Sequence, residues 1–179
     1  LPHGFTPGEE SMAMFHAKAA QHLGQPPSRF YEHAREYLSG KQGYDQWSFV
    51  GMQGFADVVA RLNQQDNQKL LQQALPHLPT QPFGQLCRFL EHETISLQLA
   101  ETIINSAPNA EEPDDSRDNQ VVTLRAIAGC PEHNLRQTFI RKVLAGEHAR
   151  DIEVLAAISG RCWEDLKNEE LCRLYLDTL

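Results

Sequence analysis

Apolar residues recur along this chain at three- and four-residue steps, the spacing of helices that bury one face. Met12, Phe15, Ala19 and Leu23 follow that step. They come after Thr6-Pro7-Gly8-Glu9, where a hydroxyl cap, a first-turn proline and a glutamate three residues past the cap predict a helix start. Gly24-Gln25-Pro26-Pro27 stops the helix. Ser28 caps a second helix carrying Phe30, Tyr31, Ala34, Tyr37 and Leu38, and Gly40 ends it. Asp45 caps a third, with Trp47, Val50, Phe55, Val58, Val59 and Leu62 on one broad face. Gly51 and Gly54 lie inside it and cost about 1 kcal/mol each relative to alanine, so the pair predicts a close approach by another helix. Asp66 opens a fourth helix through Leu75, broken by Pro76 and Pro79. Thr80 begins a fifth with Phe83, Leu86, Cys87 and Leu90, and Thr94 or Ser96 a sixth with Leu99, Ala100, Ile103 and Ile104.

Residues 107–119 form the one acidic, proline-bearing loop, which places a candidate subdomain boundary at 107–117. Beyond it the pattern predicts helices at 118–128, 132–145, 149–159 and 163–178, and no stretch alternates long enough to require a strand. Leu124, Ala126, Ile127 and Gly129 map at a 31-residue offset onto Leu155, Ala157, Ile158 and Gly160. Leu135, Ile140, Val143 and Leu144 map likewise onto Leu166, Leu171, Leu174 and Tyr175. A helical hairpin cannot bury its apolar face alone, so repeated hairpins stack. The expected architecture is therefore one all-α domain over 1–179 built of antiparallel helical hairpins, with HEAT-like α-solenoid stacking in the second half. Trp47-x2-Val50-Gly51 is similar to the start of a tetratricopeptide motif, but Gly54 occupies its aromatic position and the later consensus is missing.

Composition agrees. Valine and isoleucine total 14 and glutamine 15, a helical rather than a sheet palette. At 179 residues and 41% hydrophobic the chain has enough apolar material for a real core. No apolar run approaches the roughly 20 residues that span a bilayer. Cys87, Cys130, Cys162 and Cys172 form no CxxC pair and sit in apolar helical stretches, so a reduced, cytoplasmic setting is expected. The chain opens at Leu1 and closes on Asp-Thr-Leu in a helical pattern, which reads as a fragment of a longer protein.

No GxGxxG, Walker lysine loop, HExxH or GxSxG occurs. Cys130-Pro-Glu-His133 has ligand-like spacing, with His148 and Cys162 further on, but structural zinc needs four converging ligands and these fall on different elements. The better reading makes Cys130 a buried helix end and His133 part of the next first turn. His16 and His22 lie six apart and share no face. His92, between Glu91 and Glu93, sits at a helix C-terminus that stabilises its protonated form. A calcium loop starting at Asp114 fails, with Asn119 at the glycine position and Arg125 where the bidentate glutamate belongs. Glu9-Glu10, Glu111-Glu112 and Glu169-Glu170 are solvated neighbours rather than acid–base pairs. No catalytic residue, metal or cofactor is assigned.

Two surfaces remain. Phe30, Tyr31, Tyr37, Tyr44, Trp47 and Phe49 crowd into twenty residues, either as a core where helices meet or as a binding groove. With a formal net charge of −8 the chain repels phosphate backbones overall, yet residues 117–150 carry a local +3. Arg136, Arg141 and Lys142 on the helix at 132–145, joined by Arg173, make a candidate anion-binding surface. The segments Phe5-Thr-Pro-Gly-Glu-Glu-Ser-Met-Ala-Met-Phe-His-Ala-Lys and Tyr44-Asp-Gln-Trp-Ser-Phe-Val-Gly-Met-Gln-Gly-Phe-Ala-Asp resemble the C-terminal part of an uncharacterised gammaproteobacterial family, known only as a domain of unknown function. The resemblance implies a bacterial, cytoplasmic origin and a preceding region, and brings no activity or site residues.

The leading functional expectation is a non-enzymatic protein-interaction or scaffold domain. Its partner would be another protein, the preceding region or a second copy in a homodimer, contacted through Phe15, Phe30, Tyr31 and Trp47. The alternatives are a nucleic-acid or other anion-binding module, and an enzyme whose site is shared with the preceding region. Because Phe5, Met12, Met14, Phe15, Phe30 and Tyr31 put apolar groups on more than one face, the first three helices are expected to expose an apolar patch.

Overall fold

The structure, a computed structural model, describes residues 7–45, 51–64, 66–108 and 113–179. Among these the chain is helical and has no strand. The helices are α1 (Pro7–His22), α2 (Tyr31–Leu38), α3 (Gly51–Ala60), α4 (Asn67–Ala74), α5 (Thr80–Leu90), α6 (Leu97–Ser106), α7 (Pro113–Ile127), α8 (His133–Leu144), α9 (Ile152–Arg161) and α10 (Glu169–Thr178). Short 3-10 turns at Leu75–His77 and Asp165–Lys167 precede α5 and α10. The all-α expectation is met.

Several boundaries follow local chemistry that periodicity alone does not resolve. Ser96 caps α6, its hydroxyl accepting the Leu99 amide at 3.2 Å. Asn168 caps α10 in the same way, accepting from Leu171 at 3.0 Å, and this splits the helix expected at 163–178. Asp66 precedes α4 but with φ +59° and no capping bond. Ser28 does not start α2; its backbone amide and hydroxyl both donate to Asp57, and the second helix begins three residues later. The acidic loop is shorter than expected, because Pro113, Asp114 and Asp115 form the first turn of α7, where proline and carboxylates suit a helix N-terminus. Phe5, the Thr6 cap and the residues at 46–50, Trp47 and Phe49 among them, lie outside the described residues.

The helices form two layers. In one, α1 packs on α3, α3 on α5, α5 on α7 and α7 on α9; in the other, α2 packs on α4, α4 on α6, α6 on α8 and α8 on α10. The larger core runs from α1 to α7 and holds Phe55, Phe83, Phe89, Leu86 and Ile103. Burying one such side chain contributes about 1.5–3 kcal/mol. A smaller core joins α7 to α8, α9 and α10 through Leu124, Ile140, Val154, Ile158 and Leu171.

The inward face of α1 differs from the one that periodicity suggests. Ala13 and Ala17 are buried, whereas Met12, Phe15 and Leu23 stand 54%, 65% and 68% exposed. Small residues let α1 close on α3, itself buried almost all round from Gly51 to Val59. Gly54 allows the expected close approach: a methyl group there would overlap the Phe30 carbonyl oxygen and lie 2.7 Å from the Ala34 Cβ. Gly129 plays a similar part against Glu93, and its carbonyl accepts the Ile95 amide at 3.2 Å. Gly160, the repeat-mate of Gly129, meets nothing within 4 Å.

These three glycines yield a paired expectation. Gly54→Ala destabilises by about 1–3 kcal/mol, since it overpacks against backbone that cannot move aside. Gly160→Ala stabilises by about 0.5–1 kcal/mol, having helical backbone and open space. Urea denaturation of both variants checks the opposite signs.

Candidate interaction surfaces

The residues singled out in the aromatic stretch separate. Tyr31 belongs to the core: it is buried, and its hydroxyl exchanges hydrogen bonds with Asn67 at 3.0–3.3 Å. Its place on an exposed surface is therefore corrected, because α2 turns that ring towards α3 and α4. Phe30 is half-buried, with the Arg29 guanidinium 4.8 Å above its ring. Trp47 lies outside the described residues. Tyr37 meets Tyr44 edge-on and Phe55 at a tilt, each with 5.7 Å between ring centres, so this part of the cluster packs as interior. The Tyr37 hydroxyl donates to the Tyr44 carbonyl at 2.7 Å, and burial is the main cause that pushes its pKa up to about 12.

Phe15 remains, and beside it lies a groove. Met14, Phe15 and Lys18 of α1 face Arg88 and Phe89 of α5 and Arg125 of α7 across a cavity of about 460 Å³. Phe89 is buried beneath it. Ion pairs fix the rim: Arg88 Nε with Glu10 at 2.9 Å, Lys18 with Glu93, and Arg161 Nε with Glu91 at 2.7 Å. An Arg161 amino group also reaches the His92 ring at 3.1 Å. Among the described residues Arg125 has no ion-pair partner. The groove thus has an apolar floor, charges of both signs around it and an exposed phenylalanine at its edge.

Half of the basic segment is neutralised by pairing: of its six cations, Arg117, Arg136 and Arg141 have carboxylate partners. Arg136 is buried, 6% exposed, and grips Asp165 with two parallel bonds, Nε at 2.8 Å and one amino nitrogen at 3.1 Å. Its guanidinium also donates to the Cys130 carbonyl, and His133 Nδ1 lies 3.1 Å from the same carboxylate. Arg136 is thereby removed from the anion-binding surface, since burying a cation requires a partner and Asp165 supplies it. Arg141 stands 3.7 Å from Glu170, and Arg173 pairs with Glu169 one turn away. Arg117 is held by Asp114, Asp118 and Glu153. Lys142 is exposed and unpaired among the described residues, but α8 does not bring it, Arg141 and Arg173 together as a set of free cations.

No group of three or more His, Cys, Asp or Glu that could hold a metal ion is present among the described residues. Cys130 and Cys162 are buried at helix ends, and burial pushes the Cys162 thiol up to about 12 and the Cys87 thiol higher still. No helix among the described residues is long and apolar enough to cross a membrane. Two buried networks went unread in the sequence, the first because its partners lie 29 residues apart, the second although Asp57 and Arg61 have the i,i+4 spacing of a helical ion pair. One is the Arg136–Asp165 pair. The other links Asp57, Arg61, Ser28 and Asn67: Arg61 donates to Asp57 at 3.1 Å and to the Gln25 carbonyl at 3.3 Å, while Asn67 donates to the Arg61 carbonyl at 2.9 Å.

Arg136→Met is expected to cost about 3–5 kcal/mol, because it strands a fully buried carboxylate that His133, more than half exposed, cannot neutralise alone. Adding Asp165→Leu to that variant recovers most of the loss, as measured by urea titration. For Tyr37 the raised pKa means that the folded state holds its proton longer than the unfolded state. Its contribution to stability is whole below pH 10 and is lost as pH rises from 10 towards about 12. Tyr37→Phe should flatten that decline in denaturation curves taken across this window.

No curated protein and no solved structure matches the chain. Over residues 1–179 it matches, and so belongs to, the family described as Protein of unknown function (DUF3549).

Proposed function

We propose that this chain is a non-enzymatic protein-interaction module of stacked helical hairpins that self-associates through the α1–α5 groove. The stacking is supported by the way odd and even helices each pack on the helix two further on, and by the near-even starts of the second layer at Tyr31, Asn67, Leu97, His133 and Glu169. In the repeat at 31-residue offset, Ala126 and Ile127 and their mates Ala157 and Ile158 are all buried. In such a protein each hairpin meets only its neighbours, and outer faces are left for partners.

The observation that carries the reading is Phe15, 65% exposed at the edge of an apolar-floored groove. An isologous dimer needs a knob and a hole on the same surface patch. Phe15 supplies the knob and the groove above Phe89 the hole. The rim charges are of both signs and, Arg125 apart, already paired within the chain, so a second copy meets them without like-charge repulsion.

Light scattering as a function of concentration tests this. The native chain should shift from monomer to dimer on concentration, and Phe15→Glu should weaken dimerisation by at least about tenfold. Ile152→Glu, on an exposed residue of α9, should leave it unchanged. A native chain that stays monomeric to millimolar concentration, or equal effects of the two variants, overturns the reading.

A further inference from the structure

One inward face of α7 is polar. Ser116, Asn119, Gln120 and Thr123 recur at three- and four-residue steps and so share a side of the helix. Together they form one wall of a cavity of about 380 Å³ that the end of α6 and α8 enclose. Its other walls are apolar, from Ile104, Pro108, Phe139 and Val143. Asn119 is buried and donates to the Pro108 carbonyl at 3.2 Å, which ties the chain leaving α6 to α7. Thr123 is only 1% exposed, the deepest of the four.

Two of these groups lack partners. The Thr123 hydroxyl and Gln120 Oε1 are shielded from water and make no hydrogen bond. Elsewhere this chain handles helical threonines differently: Thr102, Thr138 and Thr178 each donate to the carbonyl four residues back, those of Gln98, Asn134 and Leu174. Thr123, the most deeply buried of these threonines, does not. Burying unpaired polar groups costs free energy that an apolar side chain at the same place would avoid. A polar stripe kept against a half-open, partly apolar cleft is the arrangement of a ligand pocket.

The lining also selects the ligand. Lys142 is the single charged side chain among the described lining residues, and it is exposed and unpaired at the mouth. No described acidic side chain opposes it in the lining. One ammonium balances the single charge of a carboxylate, whereas a phosphate carries about −1.5 to −2 at neutral pH. We infer that this cavity binds a small carboxylate with a flat or branched apolar body and a hydrogen-bond donor at its far end. The carboxylate pairs with Lys142, the body packs on Phe139, Pro108 and Val143, and the unanchored Gln120 and Thr123 side chains turn into the cavity to accept the donor.

Two-dimensional amide NMR on the full chain tests this with para-aminobenzoate, benzoate, isovalerate and the neutral para-aminobenzamide as probes. The expected result is saturable shifts along 116–123 and 139–143, strongest for para-aminobenzoate. Lys142→Met should weaken its binding by about tenfold and erase the preference over para-aminobenzamide. Thr123→Val should also weaken it by several-fold while raising the melting temperature, because it removes an unpaired hydroxyl and keeps the shape. No saturable binding of any carboxylate, or binding indifferent to both variants, overturns the proposal. So does a crystal structure in which ordered water alone satisfies Thr123 and Gln120 and para-aminobenzoate does not displace it. Since the cavity shares no residue with the α1–α5 groove, either reading can fail without the other.

Discussion

The arrangement depends on one helix that must be buried on several sides at once. α7 gives Val122, Ala126 and Ile127 to the larger core and Leu124 to the smaller one. It packs on α5, α6, α8 and α9, so it is the member through which the two halves are joined. From Asn119 on it has little surface left for water, while Asp114 and Asp118 of its first half stay exposed. Its polar residues are then either held by specific partners, as Asn119 is by Pro108, or stranded, as Thr123 is. Most of the other helices solve the easier problem of burying one stripe and wetting the rest.

Charge is handled by the same geometric logic. Where a layer must accept a cation, the chain sends a carboxylate to meet it: Asp57 for Arg61 and Asp165 for Arg136. Neither pair need add much net stability, because desolvation offsets most of the attraction. Each does specify orientation. Arg61 reaches the Gln25 carbonyl and so ties α3 to the chain entering α2, while Arg136 reaches the Cys130 carbonyl and ties α8 to the turn after α7. Most of the other described carboxylates are exposed.

Helix number and approximate extent were legible because caps, prolines and the 3.6-residue period agree along most of the chain. The face of α1 was not legible. Periodicity ranks Met12, Phe15 and Leu23 above alanine, yet interhelical distance to α3 is set by what fits, and Ala13 and Ala17 fit. Of the patch expected on the first three helices, Met12 and Phe15 of α1 stand exposed, whereas Tyr31 is buried, Phe30 half-buried and α3 buried almost all round. Arg136 looked like a surface cation because its partner lies 29 residues away in another hairpin. The polar wall of α7 went unseen for a simpler reason: with the helix started at 118, Ser116 fell in a loop and the stripe was cut short. The Gly54 contact was foreseen, since a helical glycine has an intrinsic cost that some close neighbour must justify.

The two-layer order has a consequence for how the chain reaches this state. Its cross-links join residues a modest distance apart: 29 positions from Ser28 to Asp57, 28 from Gln68 to Ser96 and 38 from Leu124 to Cys162. Loop closure over such spans adds only about 0.6 kcal/mol per doubling of length. Low contact order of this kind goes with fast folding, in roughly the microsecond-to-millisecond range for helical proteins. Longer links are Arg88 with Glu10, 78 positions apart, Arg161 with Glu91, 70 apart, and Lys18 with Glu93. All three lie at the rim of the groove beside Phe15. Interactions of such long sequence separation and partial exposure form after the hairpins have condensed, so the rim is the last part of the surface to take shape and the first to be lost when the protein opens.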